Sequence, residues 1–174
     1  MTFQLSKQEV TSKAELYSNL AEQLRHLIDG EQDFIANAAN LSSLIYHSLA
    51  DVNWAGIYLY KDGELVLGPF QGKPACVRIT VGAGVCGTAA KLRQTVIVPN
   101  VNEFPGHIAC DTASNSEIVV PLVREDELLG VFDIDSPSIN RFDDEDARGL
   151  SELISIFMNA SNSKGEYDYH SQSQ

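Results

Sequence analysis

The chain has 174 residues, 44% of them hydrophobic and 21% charged, which fits one globular domain with a core of its own. Its formal net charge of −12 and pI near 4.6 create a negative field that disfavours nucleic acid and anionic membrane as partners. The start "MTFQLSKQEV" is no signal peptide, no apolar run approaches the ~18 residues of a membrane span, and three cysteines are too odd a number for a disulfide framework, so reduced thiols in the cytoplasm are expected.

In chain order, "TSKAELYSNLAEQLRHLIDG" predicts a helix. Ser12 and Glu15 have capping-box spacing, Leu16, Leu20, Leu24 and Leu27 form a stripe, and Gly30 ends it. "EQDFIANAANLSSLIYHSLAD" predicts a second helix with a less regular apolar face. "NWAGIYLY" and "ELVLGPF" flank Lys61-Asp62-Gly63 and predict a hairpin. "CVRIT" and "TVIVPNV" read as short strands, separated by "VGAGVCGTAAKLRQ", glycine-rich first and helix-friendly after. The segment 100–116 has no clear secondary structure, and loops of that length in compact domains are usually functional or disordered. "SEIVVPLVREDELLGVFDIDS" predicts a second hairpin turning at Arg124 to Glu127. "FDDEDARGLSELISIFMNA" predicts a last helix with Asp143 as N-cap, and the tail 161–174 is polar. Adjacent hairpins and segregated helices give an α+β plan: one domain over 1–174, core about 51–160, a central antiparallel sheet with the N-terminal helices and the C-terminal helix packed on it.

Each cysteine has a bland reading as a small buried hydrophobe. That reading suits Cys76, at the head of a short strand. Cys86 in "GAGVCGTAA" divides between a buried cysteine in a turn and a thiolate stabilised at a helix N-terminus. Cys110 sits in a polar loop beside His107, where a reactive thiol is favoured. The cysteines stand 10 and 24 residues apart, so no zinc knuckle exists and no metal is expected. The hairpin brings Glu117, at the start of one strand, towards Asp133 and Asp135 at the end of the next. Asp133 and Asp135 share a face by the strand period of two, and charges there are costly unless paired or solvated. Trp54 and Tyr58 also point one way, either as core aromatics or as a wall for a small apolar group.

The segments "NWAGIYLY", "GPFQGKPACVRITVGAGVCGTAA", "VPNVNEFPGHIACDTASNSEIVVPL" and "GVFDIDSP" give the chain a specific resemblance. It resembles the free methionine-(R)-sulfoxide reductases, which use a GAF domain as catalytic scaffold. One departure is Asn100, where that family more often has aspartate. The resemblance implies that Cys110 is the attacking thiol, Cys76 the resolving thiol and Cys86 a third cysteine able to join the disulfide relay, with the order of Cys76 and Cys86 left open. It implies a sulfoxide oxygen protonated by Glu117 with Asp133 or Asp135. The remaining carboxylates would bind the substrate ammonium, Trp54 and Tyr58 would pack the S-methyl group, and amides of loop 110–116 would take the substrate carboxylate. No cofactor is implied. Thioredoxin is the implied reductant, oxidative stress the setting and a homodimer an open assembly. Two rival readings are a non-catalytic GAF module binding a small ligand such as a cyclic nucleotide, and a redox sensor using the same thiols.

Overall fold

The computed structural model describes residues 12–106 and 112–162. Helix α1 (Lys13–Leu27) starts where the cap spacing predicts, with Ser12 Oγ accepting from the Glu15 amide at 3.2 Å. Helix α2 (Phe34–Ser48) starts at the first residue of its apolar face, because Asp33 caps it by accepting from the Ala36 amide at 2.8 Å. Strands β1 (Trp54–Lys61) and β2 (Glu64–Gly72) follow. They turn through Asp62 and Gly63, both left-handed at φ 51° and 87°, a turn whose twist matches that of the strands. Then come β3 (Arg78–Thr80), α3 (Gly84–Leu92) and β4 (Val96–Val98). A single 3-10 turn at Val101–Glu103 is capped by Asn100, whose Oδ1 accepts from the Asn102 amide at 3.2 Å. Strands β5 (Ser116–Arg124) and β6 (Glu127–Ser136) form the second hairpin, and α4 (Asp144–Ala160) begins with a reciprocal box between Asp143 and Asp146.

The strands form one sheet in the order β3-β2-β1-β6-β5-β4, antiparallel throughout. The α+β plan therefore holds. What local signals do not show is that β1 and β6, far apart in sequence, are neighbours at the centre of the sheet. Their register sets the site: Trp54 lies opposite Asp135 and Gly56 opposite Asp133.

Side-chain alternation gives this sheet two unlike faces. Ala55, Ile57, Ile118, Val120, Phe132 and Ile134 point to one face, where α1, α2 and α4 close a large apolar core with Leu24, Leu41, Leu153 and Phe157. Each fully buried Leu, Ile or Phe among them contributes ~1.5–3 kcal/mol. Trp54, Tyr58, Val119 and Val131 point to the other face, covered by the short α3 and a smaller apolar cluster.

Helices α1 and α4 are also joined by a buried carboxylate. Asp146 accepts from Tyr17 Oη at 2.8 Å, Lys13 Nζ at 2.5 Å and Arg141 at 3.4 Å. The first turn of α4 looks like a solvated acidic start in sequence, yet Asp146 is fully buried. The tail is docked at its first residues: Ser161 Oγ accepts from Asn37 Nδ2 at 3.0 Å, and the Asn162 amide donates to the Gln32 carbonyl at 2.8 Å.

Candidate active site

The face under α3 carries the polar residues. Gly56 sits between Trp54 and Tyr58 on β1, where a side chain would collide with Phe70 Cβ at 2.4 Å and the Trp54 ring at 2.6 Å. Its missing Cβ lets the Trp54 indole lie flat on the sheet. The indole stacks on Phe70 at 5.3 Å and on Tyr58 at 5.8 Å between ring centres. Both polar tips are tied back: Trp54 Nε1 donates to the Lys73 carbonyl at 3.1 Å, and Tyr58 Oη to the Cys76 carbonyl at 3.1 Å. The aromatic wall expected of Trp54 and Tyr58 is present, and Phe70 extends it. The signal for Phe70 was weak, because its side depends on the β1–β2 register, which shifts between Gly56 and Tyr58.

Against this wall stand the carboxylates. Glu117 lies directly opposite Asp135, and Val119 opposite Asp133, so the hairpin gathers all three carboxylates as predicted. Glu117 and Asp133 are buried, 5% and 6% exposed, while Asp135 is half-buried at the rim. The Glu117 and Asp133 carboxyl groups lie within 4.8 Å of each other. Two carboxyls buried this close together cannot both ionise cheaply, which favours a bound proton. Burial pushes Glu117 well above the usual carboxyl range, and the charges of Asp133 and Asp135 push it further. Burial raises Asp133 to about 6, opposed by its hydrogen bonds to Cys86, Glu117 and the Ile134 backbone. Burial and like charge both favour the protonated form of Glu117.

Helix α3 delivers Cys86 to this pair, with Sγ 3.8 Å from Glu117 Oε1. The expected helix start is there, but thiolate stabilisation is not. Burial raises the Cys86 thiol well above its usual value, and the neighbouring Asp133 and Glu117 charges raise it further. Desolvation and like charge outweigh the single short helix end. Cys86, Glu117 and Asp133 offer ligand atoms all within 4.8 Å of one another. Cysteine spacing could not show this, because the three come from a helix and two strands.

Cys76 is disulfide-bonded and Cys86 is a free thiol. Cys110 and His107 lie outside the described residues. Beyond that gap the chain is fastened over the end of β6. Ser114 Oγ accepts from Asn53 Nδ2 at 3.1 Å, and the Asn115 amide donates to the Ser136 carbonyl at 2.7 Å. That bond commits one of the amides expected to hold a substrate carboxylate.

Trp54, Tyr58, Cys86, Glu117, Asp133 and Asp135 all line one cavity, with Pro74, Ala75 and Ser114 at its edge. Its enclosed space is about 30 Å³, room for water rather than an amino acid, so a larger ligand must widen it. No basic side chain is among the described residues that line it. Such a pocket suits a cationic group and a proton acceptor, and it repels phosphate.

The family model of the GAF domain matches residues 36–160. The free methionine-R-sulfoxide reductase of Escherichia coli (strain K12) is 54% identical over 143 residues, 82% of this chain and 87% of that protein. A Burkholderia vietnamiensis protein described as a GAF sensor is 62% identical with a TM-score of 0.84, covering 87% of this chain and 96% of that one. The structure of Staphylococcus aureus fRMsr in complex with substrate is 47% identical with a TM-score of 0.80, covering 83% of this chain and 94% of that one.

Proposed function

Because the chain belongs to the GAF-domain family of free methionine-R-sulfoxide reductases, we propose that it reduces free L-methionine-(R)-sulfoxide to L-methionine. The observation that carries this reading is the buried pair of Glu117 and Asp133 carboxyls beside an aromatic wall. A sulfoxide sulfur is a good electrophile only while its oxygen is being protonated. In the proposed step the Cys110 sulfur attacks the sulfoxide sulfur and Glu117 donates to the oxygen. The protonated oxygen passes to the Cys110 sulfur as its bond to the methionine sulfur and the transient S–S bond break, so methionine leaves and Cys110 becomes a sulfenic acid. A second thiol then condenses with it, expelling water and forming a disulfide.

We assign the second thiol to Cys76. Its bonded state, beside a free Cys86, supports that choice over Cys86. Cys86 instead sits against Glu117, where its neutral thiol helps keep the carboxyl pair in place. An external dithiol such as thioredoxin closes the cycle, because a disulfide needs two electrons to reopen. That chemistry belongs to a reducing compartment such as the cytoplasm. Asp133 and the rim carboxylate Asp135 face the substrate ammonium, and Trp54 with Tyr58 packs the S-methyl group.

A cyclic-nucleotide sensor fits poorly, since the pocket's only charged side chains among the described residues are carboxylates. The deciding assay is methionine formed, with dithiothreitol as reductant, from separated R and S epimers, each free and N-acetylated. The free R epimer is the one expected to turn over. Three-point fixing of ammonium, methyl and oxygen excludes the S epimer. Acetylation removes the ammonium and leaves a buried carboxylate unpaired, costing about 2–5 kcal/mol. Comparable rates on the N-acetylated R form would remove the assigned role of the carboxylates. No turnover on any form would leave only a binding or redox-sensing module.

A further inference from the structure

We propose that Cys86, Glu117 and Asp133 form an inhibitory site for a thiophilic divalent cation such as Zn²⁺. One thiol and two carboxyls, each on a different element, converge with ligand atoms within 4.8 Å of one another, and all three residues are buried. With bonds of about 2.3 Å to sulfur and 2.0–2.2 Å to oxygen, tetrahedral ligand atoms stand roughly 3.5 Å apart. The Sγ–Oε1 separation of 3.8 Å is already close to that spacing.

A second, independent feature points to a missing ligand. Asp133 Oδ1 is buried and has no hydrogen-bond partner, although its residue lines the cavity. Orphaned carboxylate oxygens are costly, and a cation removes that cost. No lysine, arginine or histidine among the described lining residues competes for it. The enclosed space of about 30 Å³ is enough for an ion with a water as fourth ligand. Sulfur with oxygen favours zinc or cobalt over magnesium or calcium, which take oxygen alone. On binding, the metal replaces the thiol proton and any proton the carboxyls hold. With its acid and ammonium partners occupied, the pocket can no longer serve a substrate.

The test uses the protein in its disulfide form, where Cys76 is bonded and Cys86 is free. Co²⁺ is titrated in and followed by the near-ultraviolet thiolate-to-metal charge-transfer band, which needs no turnover. Wild type is expected to develop the band at one equivalent and lose it when Zn²⁺ is added. Cys86→Ser should not form it. Asp133→Asn should weaken cobalt binding by more than about tenfold, the range already found for outer-shell partners of metal sites. Circular dichroism of each variant checks that the fold is intact, and Cys86→Ala repeats the test with a different replacement. Absence of the band in wild type overturns the site, as does a band of equal strength in folded Cys86→Ser and Cys86→Ala. An ammonium-only pocket gives neither band nor zinc displacement.

Discussion

The two faces of this sheet are made from alternating residues of the same strands and follow opposite rules. Under the helices, Ala55, Ile57, Ile118, Phe132 and Ile134 are apolar and closely buried. On the face under α3, the residues between them are Trp54, Tyr58, Glu117, Asp133 and the half-buried Asp135. Two of these are carboxyls whose burial favours a bound proton, and Asp133 keeps an orphaned oxygen. The helix face gains stability from burial, whereas the α3 face gives some up to hold a proton ready. Strained or unsatisfied polar groups of this kind gather at functional sites.

Four changes separate the faces. The largest expected effect is that of Cys110→Ser, which should abolish methionine formation because a neutral hydroxyl is a far poorer nucleophile. Retained activity would remove the attacker from the account. Next, Glu117→Gln should lower the turnover rate ~10²–10⁴-fold, the usual worth of a positioned general acid. Its unfolding temperature at pH 7 should rise, because an amide avoids the cost of taking up a proton to bury the carboxyl uncharged. On the helix face the signs reverse. Phe132→Ala should destabilise the protein by about 3–5 kcal/mol in denaturant unfolding, while the fraction still folded keeps its turnover rate. If Phe132→Ala and Glu117→Gln both lowered stability, the two faces would not differ as described.

The smallest effect is a pH slope. Asp133 has a carboxyl raised from its usual 3.8 to about 6 in the folded chain. The folded state therefore binds the proton more tightly than the unfolded chain. That stabilisation is full below about pH 4 and is lost as pH rises towards 6. Glu117, raised well above its usual range, extends the loss to higher pH. Unfolding midpoints measured across this range should fall with pH in wild type and fall less steeply in Asp133→Asn.

Much of this was legible where the signal is local. Ser12 and Asp143 cap their helices as read, and Asp62-Gly63 turns the first hairpin. The second hairpin set Glu117 beside the aspartates because its turn at Glu125 and Asp126 fixes which residues face each other. What sequence could not show depends on packing between distant elements. The β1–β6 pairing places the Trp54 wall beside Asp135, and the seating of α3 puts Cys86 against Glu117. Of the two readings of Cys86, the structure favours the buried cysteine over the thiolate at a helix start, for the same reason. The helix was visible, but the two carboxyls across from it were not. Burial of Asp146 by Lys13, Tyr17 and Arg141 was equally hidden.

The central claim is that the α3 face holds a neutral carboxylic acid at the pH of catalysis. Infrared spectroscopy reads this directly, since a protonated carboxyl has a C=O stretch distinct from that of a carboxylate. At pH 7 wild type is expected to show that band and Glu117→Gln to lack it. A wild-type spectrum at pH 7 without a protonated carboxyl, or one unchanged in Glu117→Gln, would contradict the account.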